Sequence, residues 1–310
     1  GWVRAEGEGL LPVRPLIQWY YTPTPWYFLD RLPASLVVYD VMDELANFKG
    51  ASTDLRQREA GLLARADLVF AGGRSLYEAR KERHPRVHLF PSGVEVEHFA
   101  QALSPALRIA PEIAALPRPV LGYYGVIDER MDLELLSGLA SRHPDWSIAL
   151  VGPVTKLEPE QLPTAPNLHY LGPRSYAELP SFLKGFDVCL MPFAMNEATR
   201  FISPTKTLEY MAAHKPIIST PVPDVVSNWT GIVRIAGNIG EFEGAVEETL
   251  GETATDRQKR VAREEHILRE HGWARIAHDM HGLIRAALPD AHPGAATGAE
   301  QDHYLNPLEV

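Results

Sequence analysis

The chain has one cysteine, Cys189, in 310 residues, so an internal disulfide cannot hold it together and its fold must rest on an apolar core. Within an apolar run that thiol reads as a small core residue. No stretch approaches the roughly 20 apolar residues that a membrane-crossing helix needs. A charged start followed by an apolar core, the mark of a signal peptide, is also missing, and together these absences predict a cytoplasmic protein. Positive charge is scarce: 30 Lys and Arg face 40 Asp and Glu, for a net charge of -10, which argues against the broad basic footprint that nucleic acid requires. No G-x-x-x-x-G-K-[ST] is present and no G-x-G-x-x-G follows a predicted strand, so a P-loop enzyme and a dinucleotide dehydrogenase are both disfavoured. His278 and His281 lie three apart on a predicted helix but lack a third ligand, and no metal site is expected.

What is present is an alternation of short apolar runs with helical patterns, in a composition of 45% hydrophobic and 23% charged residues that suits two cores. Strands are predicted at 15–21, 36–41, 68–71 and 87–90, with helices at 55–66 and 75–82. Pro105, Pro111, Pro117 and Pro119 make 100–119 a linker in which no helix is expected. Beyond it, strands at 120–126, 147–152, 168–171, 188–192, 216–220 and 232–235 alternate with helices at 133–142, 176–184, 205–213 and 239–250. Right-handed crossovers turn that pattern into a doubly wound parallel α/β sheet. Helices at 256–270 and 273–287 close it, and the Ala, Gly and Pro-rich stretch from 289 reads as a linker or disordered tail. The expected domains are 1–104, 118–288 and a tail of 289–310.

One segment concentrates the chemistry. Ser203-Pro204 reads as the cap and first turn of a helix carrying Lys206 and Glu209, and the helix leads into the buried strand Pro216 to Thr220. Free N–H groups and the Lys206 ammonium would meet a pyrophosphate, while Glu209, on the same helix edge, would accept both hydroxyls of a ribose. The plainer alternative is a capped helix with an i,i+3 ion pair. The apolar run Phe186 to Phe193 feeds the loop before this segment, and ligands of open α/β sheets bind at such strand ends. In the first domain, Asp40, Asp43 and Glu44 cluster at another strand end. Asp43 is the favoured acceptor of a proton or a sugar hydrogen bond, with helix capping as the alternative. Trp19, Tyr20, Tyr21, Trp26 and Tyr27 would stack on sugar faces or, as is more common, pack the fold.

Ser203 to Thr220 resembles the nucleotide-sugar site of GT-B glycosyltransferases, close to family 4 and its bacterial cell-surface polysaccharide members. Pro91-Ser92-Gly93-Val94-Glu95-Val96-Glu97-His98-Phe99 is similar to the family's P-N-G-V-D-x-x-x-F, and Gly122 to Ile127 and Ala66 to Ser75 resemble its strand and glycine-loop segments. The resemblance implies two Rossmann-like domains, with donor contacts at Gly125, Arg130, Ser203, Thr205, Lys206, Thr207 and Glu209. Asp43, Arg130 and Lys206 would be catalytic. It further implies a UDP-hexose donor, a saccharide or lipid-linked acceptor in cell-surface glycan synthesis, retention of configuration, peripheral contact with the inner membrane face and no metal cofactor. Four strands are few for the first domain of this family, so its opening units are expected to be missing and the chain to be part of a longer polypeptide. The chain departs from the family in two places. Phe201 stands where the first of two paired glutamates is usual, with Glu197 as a displaced substitute, and Arg130 lacks its usual lysine partner until Lys156. The rival reading is a non-catalytic GT-B-like module that binds nucleotide or saccharide.

Overall fold

A computed structural model describes residues 15–288 apart from 30 and 32. The irregular opening and the linker-like tail from 289 lie outside the described residues.

Strands β1 (Ile17–Tyr20), β2 (Leu36–Val41), β3 (Leu68–Ala71) and β4 (Val87–Leu89) form a parallel sheet in sequential order. Side chains alternate across it. Leu36, Val38, Leu68 and Phe70 pack on Ile284 of the helix Trp273–Ala287, while Tyr39, Val41, Val69 and Ala71 pack on Leu62, Leu63 and Leu76 from the helices Leu55–Leu63 and Arg74–Glu78. The last described helix thus crosses back to cover the first sheet.

The second sheet contains β5 (Val120–Tyr124), β6 (Ser147–Val151), β7 (Leu168–Gly172), β8 (Val188–Met191), β9 (Ile217–Ser219) and β10 (Arg234–Ile235), in the order β10-β9-β8-β5-β6-β7. All its pairings are parallel. β5, β6, β8 and β9 are buried along their whole length, because helices cover both faces, and their sequences are correspondingly apolar throughout. Strand order reverses between β5 and β8, so the loops leaving these two strands diverge and leave a crevice at their carboxyl ends. Helix Leu133–Arg142 is closed at its start by Asp132, whose side chain accepts from Leu135 N at 2.8 Å.

Three expectations need correction. The linker contains a short helix, Pro111–Ala114, and an unforeseen helix, Pro223–Trp229, follows β9. In both, proline sits at the first turn, where its missing N–H costs nothing, so it starts the helix instead of interrupting one. Ser203 does not cap the helix of the key segment, which runs Lys206–Ala212. Pro204 O accepts from Thr207 N at 3.2 Å in a separate turn, and this delays the helix start past Ser203.

Candidate active site

The crevice between the β5 and β8 loops opens onto the carboxyl edge of the first sheet and encloses a cavity of about 290 Å³. Met42, Asp43 and Ser92 form its wall on the first-sheet side. Tyr123, Arg130 and the run Ile202 to Lys206 form the opposite wall. Of the sequence-derived candidates, Asp43, Arg130, Ser203, Thr205 and Lys206 therefore meet in one space.

Lys206 reaches the cavity along Gly125. This glycine has a φ of 141°, and a Cβ there would overlap Lys206 Cε and stand 2.8 Å from Nζ. Glycine is thus required twice, for its backbone conformation and for the passage of the lysine. Lys206 Nζ has no hydrogen-bond or ion-pair partner among the described residues and lies 5.6 Å from the centroid of the Tyr123 ring. Burial lowers its pKa, opposed by the nearby Glu209 charge. An ammonium held this way gains from an incoming anion.

Glu209 accepts a 2.7 Å hydrogen bond from the Tyr124 hydroxyl. Burial raises its pKa, while that bond and the charge of Lys206 hold the carboxylate form. Beside it, His98 stacks on Tyr176 with ring centroids 4.2 Å apart. Tyr176 remains 47% exposed, so a flat apolar face stands open near the carboxylate.

Arg130 is already engaged. Its Nε and Nη2 donate to Asp128 at 2.9 and 2.7 Å, and its guanidinium lies 5.7 Å from the centroid of Phe48, from the first-sheet side. Burial of Asp128 opposes ionisation, yet the Arg130 hydrogen bonds outweigh it and hold the carboxyl below its ordinary value. Lys156 bonds Glu129 at 2.8 Å and approaches the same Phe48 ring at 5.2 Å. The basic pair that looks incomplete in sequence is therefore brought to one aromatic ring by the fold.

Gly125 and Glu209 are not among the residues that line the cavity, and Thr207 and Glu197 also fall outside it. Thr207 is fully buried, with its hydroxyl 3.5 Å from Met191 Sδ, and its N–H is spent on Pro204, so it serves the core and not the cavity. Glu197 is a poor substitute for the missing glutamate, since its carboxylate is exposed near Arg200 at 3.8 Å and does not line the cavity. Phe201, in the usual glutamate position, packs against the core on the helical face of the first sheet.

The three first-sheet carboxylates separate. Glu44 pairs with buried Arg80 at 2.8 Å, and Asp43 faces the cavity with its pKa raised by burial and restrained by Arg130. Asp40 lines a second cavity of about 410 Å³ with Trp19, Phe90, Trp273 and His281. Buried there, with Trp19 Nε1 donating at 3.2 Å, it is pushed up to about 6. Sequence reasoning missed Asp128, Phe48, Tyr124 and the His98–Tyr176 stack. Tyr124 and His98 lie inside recognised motifs, whereas nothing local marks the other three.

The sequence model of the family described as Glycosyl transferases group 1 matches residues 118–252. A Bacillus subtilis protein named putative teichuronic acid biosynthesis glycosyltransferase TuaH is 26% identical over 277 residues, covering 80% of this chain and 68% of its own. Among solved structures, Anabaena HepE in complex with UDP superimposes with a TM-score of 0.68 at 14% identity, over 87% of this chain and 79% of that one. Sucrose-phosphate synthase from Thermosynechococcus elongatus gives 0.68 at 18% identity, over 88% and 73%. The switch-point crevice lies in the matched region, so residues 118–252 form a domain similar to group 1 glycosyl transferases, and the two parallel sheets of the chain share the fold of these solved neighbours.

Proposed function

We propose that the chain transfers a hexose from a UDP-hexose donor to a saccharide acceptor, free or lipid-linked, in the synthesis of a cell-surface glycan. The observation that carries this is the unpaired, half-buried Lys206 ammonium in a switch-point cavity opposite Asp43. The diphosphate occupies that cavity. Glu209 accepts the ribose hydroxyls, and the base lies towards Tyr176. Negative charge grows on the departing diphosphate as the glycosidic bond breaks, and Lys206 and Arg130 stabilise it within a partly desolvated space. The reading draws on no divalent cation. Solved neighbours that bind UDP, or UDP and glucose, support the choice of donor, and the relative named for teichuronic acid biosynthesis supports a surface glycan as product.

The acceptor enters the larger cavity. It shares Met42 and Ser92 with the donor cavity, so an acceptor hydroxyl there stands next to the transferred sugar. Trp19 and Trp273 offer apolar ring faces, and Asp40 offers a hydrogen-bond acceptor. Asp43 borders the donor sugar. Retention of anomeric configuration, implied by the family resemblance, makes Asp43 a sugar contact, whereas inversion would make it the general base. The reaction runs in the cytoplasm at the inner membrane face. Among the described residues no helix is long and apolar enough to cross a membrane.

Release of free UDP from UDP-hexoses, followed with and without Lys206→Ala, tests the reading. Slow hydrolysis by the parent that disappears in the variant is expected, and proton NMR of the released sugar reports its configuration. Tight UDP binding with no turnover of any UDP-hexose, with or without added saccharides, would favour the non-catalytic module.

A further inference from the structure

We propose that Asp224 is a positioning residue that clasps the two sheets together across the cleft, setting the distance between the walls of the donor cavity. Asp224 lies in the first turn of Pro223–Trp229, on the second-sheet side, and is 1% exposed. Its Oδ1 accepts from Ser75 N at 2.9 Å, in the loop and helix that follow β3 of the first sheet. Four residues along the helix, Asn228 Oδ1 accepts from Arg74 Nε at 3.3 Å. A carboxylate of one half therefore satisfies a backbone donor of the other.

Gly73 makes the closeness possible. Its backbone is extended, with φ -162° and ψ 159°, which any residue adopts, so conformational freedom is not what is needed there. Space is: a Cβ at Gly73 would overlap Asp224 Oδ2 and stand 3.0 Å from Ser203 Cβ. Ser203 lines the donor cavity. The clasp thus presses the β3 loop directly against the segment that holds Lys206, and the separation it fixes passes to the cavity through Ser203.

The contact also contains the means of its own release. Asp224 Oδ2 and Ser75 Oγ are buried without hydrogen-bond partners. Buried polar atoms in that state regain hydration when the contact opens, which offsets part of what closure gains. A clasp built this way holds the halves together yet parts readily, as a site that must admit a donor and discharge a nucleotide requires.

Spin labels on Glu82→Cys and Glu247→Cys, both exposed and on opposite halves, report the separation, and buried Cys189 does not compete for the label. A narrow distance distribution is expected for the otherwise unsubstituted chain. Asp224→Ala should broaden it or shift it outward, and Gly73→Ala should do the same by wedging the contact open. Asp224→Asn keeps an oxygen for Ser75 N–H and should retain the narrow distribution. UDP affinity should stay within about threefold in all three variants, because Lys206 and Glu209 belong to the second-sheet half, while kcat for UDP-hexose hydrolysis falls in the two opened variants. Unchanged distributions in both Asp224→Ala and Gly73→Ala would overturn the proposal. So would loss of UDP binding matching that of Glu209→Ala, which would make Asp224 part of the donor site itself. Should the parent chain fail to bind UDP, the donor reading fails, and the distance measurement still judges the clasp.

Discussion

Asp40→Asn should make this protein more stable at neutral pH. In the folded chain the Asp40 carboxyl is pushed from 3.8 up to about 6, chiefly by burial, with the Trp19 hydrogen bond pulling the other way. The folded state therefore binds this proton more tightly than the unfolded state does. Its contribution to stability is complete below pH about 4, declines as pH rises to about 6, and is gone above that. A shift of about two pKa units corresponds to about 3 kcal/mol. Some relaxation around the cavity reduces it, so a difference of about 2 kcal/mol is expected. Asparagine imitates the protonated acid and keeps an oxygen for Trp19 Nε1. Urea unfolding of parent and variant at pH 4, 6 and 7.5 checks this, because other acids such as Glu264, also raised by burial, titrate in both chains and cancel. Equal stability at pH 4 and a gap that opens as pH rises would agree. A variant less stable than the parent at pH 7.5, or a difference independent of pH, would refute the assignment of a desolvated carboxyl at this wall of the cavity.

Other consequences are as direct. Arg80 is fully buried between Glu59 and Glu44, so Arg80→Ala should strand two carboxylates and cost about 3–5 kcal/mol in thermal unfolding, whereas Arg142→Ala, which breaks the exposed pair with Glu243, should cost under about 1 kcal/mol. Gly125→Ala should displace Lys206 and weaken UDP binding by at least about tenfold by calorimetry, because the strain at φ 141° and the overlap with Lys206 Cε act together. Tyr124→Phe removes a hydrogen bond that favours the ionised form of Glu209. Its pKa should rise further, and the pH above which UDP binds well should move upward in titrations from pH 5 to 8.

The second sheet was legible because β5, β6, β8 and β9 are buried along their length and spell near-continuous apolar runs, with helices of period 3.6 readable after β5 and β8. The right-handed crossover rule gave a doubly wound parallel sheet, and the strand order that places the crevice came from the structure. Proline misled at Pro111, because its effect depends on whether it falls before a helix or within one, and the helix that Pro223 starts was not anticipated. The same ambiguity put the cap at Ser203 when the helix begins with Lys206. What local pattern could not supply were pairings across the cleft. Phe48 beneath Arg130 and Lys156, and Asp224 against Ser75, join residues 82 or more apart in the chain, and neither partner signals the other. The separate fates of Asp40, Asp43 and Glu44 follow from strand alternation and from the position of Arg80, which only the packed sheet fixes.

The central claim is that the crevice between β5 and β8 is a UDP-sugar donor site read by Glu209. Calorimetric titration of UDP, with GDP and CMP alongside, into this chain and into Glu209→Ala tests it most directly. Saturable binding of UDP at one site, lost or weakened by at least about a hundredfold when the carboxylate is removed, is the predicted result, since two charge-assisted hydrogen bonds are at stake. A folded chain that binds none of the three nucleotides, or one whose UDP affinity is indifferent to Glu209, would contradict it.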